Sequence, residues 1–190
     1  MSGAPPGQAA SVRETIRAIL GIARGRPEAL RLFGNTPQAF IASLMPLIVV
    51  PLLSSLLSSR ETSMGQFLAE TTASVAALLV PPVLTHALAR AWGREDAWLR
   101  FATAFNWCQF AMLLAAMVGL FVIGGAGGRD AAVVIVGLLG FYALWLHWFL
   151  TRHGLGVSGG RAVMLVLSVH VATTLVVLVP RFVAAMLRGA

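Results

Sequence analysis

Apolar residues along this chain fall in long uninterrupted runs rather than in alternation. Five such runs occupy about residues 39–58, 71–90, 101–123, 131–150 and 162–180. Each is close to the ~20 residues a helix needs to cross ~30 Å of hydrocarbon, and the linkers between them are too short to hold a soluble domain. The pattern predicts an all-α, polytopic integral membrane bundle of five transmembrane helices. A different pattern precedes them. Ser11 and Glu14 form a capping box, after which Val12, Ile16, Ile19 and Leu20 recur at helical spacing with Arg13, Arg17 and Arg24 on other faces. This amphipathic helix is too short and too charged to span. Either it lies in the membrane interface or it packs on the protein's own cytoplasmic face. Pro27 opens a second short helix that Gly34 closes, and Thr36-Pro37 starts the first span. The chain therefore divides into a disordered tail rich in Pro, Gly and Ala (1–10), cytoplasmic amphipathic helices (11–36) and a five-helix transmembrane domain (37–190).

Composition sharpens that reading. Of 190 residues 58% are apolar and only 11% charged, which excludes an ordinary soluble domain, a disordered chain and a disulfide-stapled module. The net charge of +7 comes from 14 basic residues that are all Arg, the composition expected of a GC-rich bacterial genome. They lie between the apolar runs, so no nucleic-acid partner is expected. Cys108 is the single cysteine and sits inside an apolar run.

Arginine sets the expected orientation. Arg13, Arg17, Arg24, Arg26 and Arg31 precede the first span; Arg90, Arg94 and Arg100 follow the second; Arg152 and Arg161 follow the fourth. Only Arg60, Arg129, Arg181 and Arg188 fall on the other side. Positive residues stay inside, which predicts an inner-membrane protein with a cytoplasmic N-terminus and a periplasmic C-terminus. The expected partners of the first five arginines are anionic lipid headgroups or a protein surface. Trp92, Trp98, Trp107, Trp145 and Trp148 cluster toward the same boundary.

Candidate chemistry is sparse. Every carboxylate lies in a loop or at a span end, against the usual pattern of proton- or cation-coupled carriers. No phosphate loop, zinc-protease, serine-hydrolase or paired-cysteine motif is present, so no enzyme is expected. His86 and His147 stand at matched depth before Arg90 and Arg152, with His170 nearer mid-membrane. Facing imidazoles of this kind are what b-type haem needs. The competing reading is structural, with each ring bonded to a neighbouring carbonyl or hydroxyl, and it leaves the chain without a cofactor. Asn106 and Gln109 form a polar cluster in the third span, either a binding site or interhelical glue. Pro46, Pro51, Pro81 and Pro82 lie at depth and free carbonyls there.

The segment Asn35-Thr36-Pro37-Gln38-Ala39-Phe40 and the loop Ala91-Trp92-Gly93-Arg94, set among five compact spans, resemble bacterial members of the Yip family. Eukaryotic Yip proteins are five-span proteins that interact with Rab GTPases. The sequence Phe105-Asn106-Trp107 departs from the Tyr and Pro expected there, and the Rab partner does not carry over to a bacterium. The resemblance implies a non-enzymatic membrane module that works by binding. The expected function is therefore a scaffold, organiser or small accessory subunit with a protein partner or a second copy in the membrane. The alternatives are a small transporter or channel, and a haem- or quinone-associated respiratory accessory.

Overall fold

A computed structural model describes residues 11–58 and 64–189; residues 1–10, 59–63 and 190, Arg60 among them, lie outside the described residues. The described chain is helical, with no strand among its residues. Helix α1 (Val12–Ala23) opens on the capping box: Glu14 N–H donates to Ser11 Oγ at 3.3 Å, and Ser11 N–H donates to Glu14 Oε2 at 2.9 Å. Those bonds from Ser11 hold the Glu14 carboxyl below its ordinary pKa of 4.5. A 3-10 helix (Pro27–Leu32) follows, with Pro in its first turn. The Cβ that an alanine would place at Gly21 falls 2.6 Å from Ala29 Cβ, so only glycine lets these two short helices close on one another.

Helix α1 divides its surface between the bundle and the exterior. Thr15, Ala18 and Ile22 are buried, while Val12, Ile16 and Leu20 face outward between exposed arginines. Tyr142 Oη–H donates to Ala23 O at 2.8 Å and ties the end of α1 to the bundle.

The bundle comprises α2 (Pro37–Ser58), α3 (Met64–Ala91), α4 (Glu95–Gly119), α5 (Gly125–Gly154) and α6 (Gly159–Gly189). Thr36 Oγ1 caps α2 by accepting from Ala39 N–H at 3.2 Å. Helix α3 continues through Pro81-Pro82. A π-helical turn (Leu120–Gly124) carries α4 toward α5, and the chain reverses at Gly128, whose φ of 72° and ψ of −164° suit glycine alone. Four segments are long and apolar enough to cross a membrane: Thr71–Ala91, Glu95–Ile123, Gly127–Gly154 and Gly159–Val179. In α2 the apolar stretch Pro37–Val50 is shorter.

Helix α3 packs on α6, α2 on α4, α4 on α5 and α5 on α6. Buried side chains concentrate toward the α1 end, where Phe101, Phe105, Leu150, Leu155 and Leu165 meet Ile22, Leu30 and Phe33. The opposite half turns Phe121, Val133, Leu138, Phe141 and Leu178 outward. An apolar exterior of this extent is the signature of a surface solvated by lipid. Trp98 and Trp148 anchor the α1 end through bonds to Thr85 Oγ1 and Gly159 O. Trp107 instead lies about 18 Å along α4 from Glu95, deeper than the others, because α4 starts several residues before the apolar run does.

Candidate binding cavity within the bundle

All five long helices wall one cavity of about 360 Å³. Leu47 comes from α2, Ala77, Leu78, Pro81 and Pro82 from α3, and Phe105, Asn106, Gln109 and Leu113 from α4. His147 comes from α5, and Val169, His170, Thr173 and Thr174 from α6. At 1.5 Å rise per residue the polar members lie roughly 10–20 Å from the helix ends on the α1 side, which is mid-depth for a bilayer-sized bundle.

His147 is the most constrained of them. It is 4% exposed, its ring tilts against Phe105 at 4.5 Å, and its Nε2 has no hydrogen-bond partner in the protein. Its neighbour is His170, with ring centroids 5.4 Å apart and planes at 45°. The His170 Nδ1 lies 2.8 Å from Val166 O. A carbonyl can only accept, so Nδ1 carries a proton and Nε2 is the ring nitrogen left to meet a guest. Thr173 Oγ1 is likewise buried without a partner in the protein.

Asn106 is nearly as buried as His147. Its Nδ2–H donates to Ser43 Oγ at 2.9 Å, and Ser43 in turn donates to Phe40 O at 2.7 Å. The residue therefore joins α4 to α2, the interhelical role expected of it, and also forms part of the cavity wall. Gln109 sits one turn deeper on the same wall and is exposed.

His86 goes elsewhere. Its Nε2 lies 3.3 Å from Glu95 Oε1 and its ring meets the edge of Trp98 at 4.6 Å, at the α3–α4 turn. Matched depth does not bring His86 to His147, because α3 turns Pro81 and Pro82 inward and presents His86 to the start of α4. That pair therefore holds no haem between its rings. No cluster of three or more metal-binding side chains exists among the described residues.

Arg13, Arg17, Arg24, Arg26 and Arg31 are all exposed on the α1 face. Arg161 and Arg152 stack over Trp92 and Trp148, at 5.8 and 5.2 Å from their ring centroids. No family model, curated protein or solved structure matches the chain. Its function is argued from the cavity.

The sequence reading missed Ser43, Thr173 and Thr174. The signal for the threonines was present: they follow His170 by three and four residues, the spacing that puts side chains on one helix face. Among the described lining residues none is a carboxylate or an arginine, so the cavity suits a neutral guest.

Proposed function

We propose that the chain is a non-enzymatic membrane binding module, an accessory or organising subunit whose cavity holds a neutral, lipid-soluble molecule with a hydrogen-bonding head. The buried, unpartnered His147 Nε2 in a cavity walled by five helices carries this reading. A hydroxyl or carbonyl head answers His147, His170 and Thr173, while Leu47, Leu78, Leu113 and Val169 receive the apolar remainder.

The reading includes five spans. Helix α2 has 22 residues without a charge, about 33 Å at helical rise, enough to cross hydrocarbon. It also includes the inner membrane, a cytoplasmic N-terminus and a periplasmic C-terminus. Exposed arginines and tryptophans at the α1 end support that sidedness. On this reading α1 rests Val12, Ile16 and Leu20 in the interface, with its arginines on anionic headgroups.

Purification of the full chain in mild detergent, solvent extraction and mass spectrometry test the proposal. A neutral lipid bearing a hydroxyl or carbonyl should accompany the protein near stoichiometrically and fall roughly tenfold in His147→Phe. Identical extracts from both proteins would overturn the ligand. Reproducible elution as a lone monomer without partner would overturn the accessory role.

A small transporter is the second reading, favoured by prolines 81 and 82 in the cavity wall, where a helix with freed carbonyls is able to flex. Flux in liposomes that Asn106→Ala abolishes would select it.

A further inference from the structure

A second recess, of about 300 Å³, opens where the 3-10 helix crosses the ends of α4 and α5. Glu28 and Arg31 come from the 3-10 helix, Arg100 from α4 and His153 from α5, around the backbone of Gly154. Arg31 and Arg100 line one recess from distant parts of the chain. Neither has a carboxylate partner: the ion pair found among the described residues is His86–Glu95. Two arginines against one carboxylate leave the recess with a surplus of positive charge, which favours an anion there.

The backbone beside them is tied into the bundle. Leu30 is buried beside Arg31. Asn35 clamps the start of α4, its Oδ1 accepting from Arg100 N–H at 2.9 Å and its Nδ2–H donating to Asp96 O at 2.9 Å. Arg100 stands only about 7 Å along α4 from Glu95, at the level where a bundle of spanning helices meets lipid phosphates.

We propose that this recess binds a phosphate ester whose head also carries a hydrogen-bond donor. The phosphate lies between Arg31 and Arg100, whose forked N–H groups match its oxygens. The donor, a hydroxyl or an ammonium, points to Glu28, which would repel an ester lacking one. The lipid-facing bundle beneath the recess gives room for acyl chains, which makes a phospholipid the natural source; a soluble phosphate ester shares the same chemistry. The site does not depend on the mid-depth cavity.

The test uses the full chain in mild detergent, titrated by native mass spectrometry with phosphatidylglycerol, phosphatidylethanolamine and phosphatidylcholine. The first two carry a donor on the head and the third does not. Both donors should bind roughly tenfold tighter than phosphatidylcholine, and R31Q/R100Q should weaken phosphatidylglycerol by about tenfold or more. The control R90Q/R94Q, exposed at the α3–α4 turn and outside the recess, should bind as wild type, and E28Q should narrow the gap to phosphatidylcholine. Displacement of the lipid by equal glycerol 3-phosphate would identify a soluble ester as the source; failure to displace it would identify the lipid. All altered side chains are exposed, and a thermal melt confirms the fold of each variant; should R31Q/R100Q melt early, R100Q alone makes the comparison. Wild-type affinity in the arginine variants, or phosphatidylcholine binding as tightly as phosphatidylglycerol, would overturn the proposal.

Discussion

The bond between Asn106 and Ser43 is the sharpest test of how this bundle is held together. Both residues are buried, at 4% and 0% exposure, and their 2.9 Å contact joins α4 to α2. Ser43 spends its own proton on Phe40 O, so its oxygen is left as a pure acceptor for the Asn106 amide. The two truncations are therefore unequal. Asn106→Ala removes the bond and leaves the serine satisfied. Ser43→Ala strands an amide N–H at the cavity wall, and an orphaned donor costs about 1–3 kcal/mol. Hydrogen bonds between membrane helices average about 0.6 kcal/mol and reach about 1.7. Burial on both sides places this one in the upper half, near 1 kcal/mol, a change of about fivefold in the unfolding constant. A double-mutant cycle measures it: wild type, both single variants and S43A/N106A, unfolded reversibly in mixed micelles with tryptophan fluorescence as the signal. The double variant should cost less than the sum of the singles by about 1 kcal/mol. Additivity within about 0.3 kcal/mol would mean that the contact does not stabilise the bundle, and the argument from buried polar partners would fail.

Three further outcomes follow from the same geometry. Gly21→Ala should destabilise by about 1–3 kcal/mol through the clash with Ala29 Cβ, and the compensating G21A/A29G swap should recover most of that loss in a thermal melt. Asn35→Ala removes both bonds to the start of α4 and should cost about 1–3 kcal/mol, with faster hydrogen exchange at the amide of Arg100. The Glu14 carboxyl is held below its ordinary pKa, so its contribution to the helix start is present above pH 4.5 and is lost as pH falls through the lowered value. Protection against hydrogen exchange at the first turn of α1, taken relative to the intrinsic exchange rate at each pH, should therefore fall on acidification in wild type and stay flat in Glu14→Gln.

Local chemistry made most of the helices legible. A serine three residues before a glutamate, a threonine before a proline, and apolar runs of spanning length each act within a turn or a single helix, and the structure forms helices there. Helix α4 starts at Glu95 rather than at the apolar Phe101. Two carboxylates, Glu95 and Asp96, favour the positive end of a helix dipole, and an apolar-run criterion ignores that. The cavity was legible only in part. His147, His170, Asn106 and Gln109 stand out as polar residues in apolar runs, but helices apolar all round carry no stripe to show which way each one turns. Rotation of α3 sent His86 to Glu95, and rotation of α6 turned the His170–Thr173 face toward His147. Both follow from helix pairing, which no single helix encodes.

The energetics of the cavity restrict what fills it. The cavity of about 360 Å³ is only partly enclosed, so in the membrane it is open to lipid-soluble molecules. An acyl chain would supply contacts to Leu47, Leu78 and Leu113 but leave the His147 imidazole and the Thr173 hydroxyl unanswered, at about 1–3 kcal/mol each. Water would answer the polar atoms but wet the apolar walls. A neutral molecule with a polar head and an apolar body satisfies both sets of walls at once. Because the cavity lies between the closely packed α1 end and the lipid-facing half, such a guest would complete the contacts between α3, α5 and α6. Its binding should raise the unfolding midpoint with concentration, as any ligand of the folded state does. Replacing His147 by Phe fills part of the space and removes the orphaned nitrogen together. That variant should be at least as stable as the ligand-free wild type while no longer responding to the ligand; a polar guest held by His147 requires that combination.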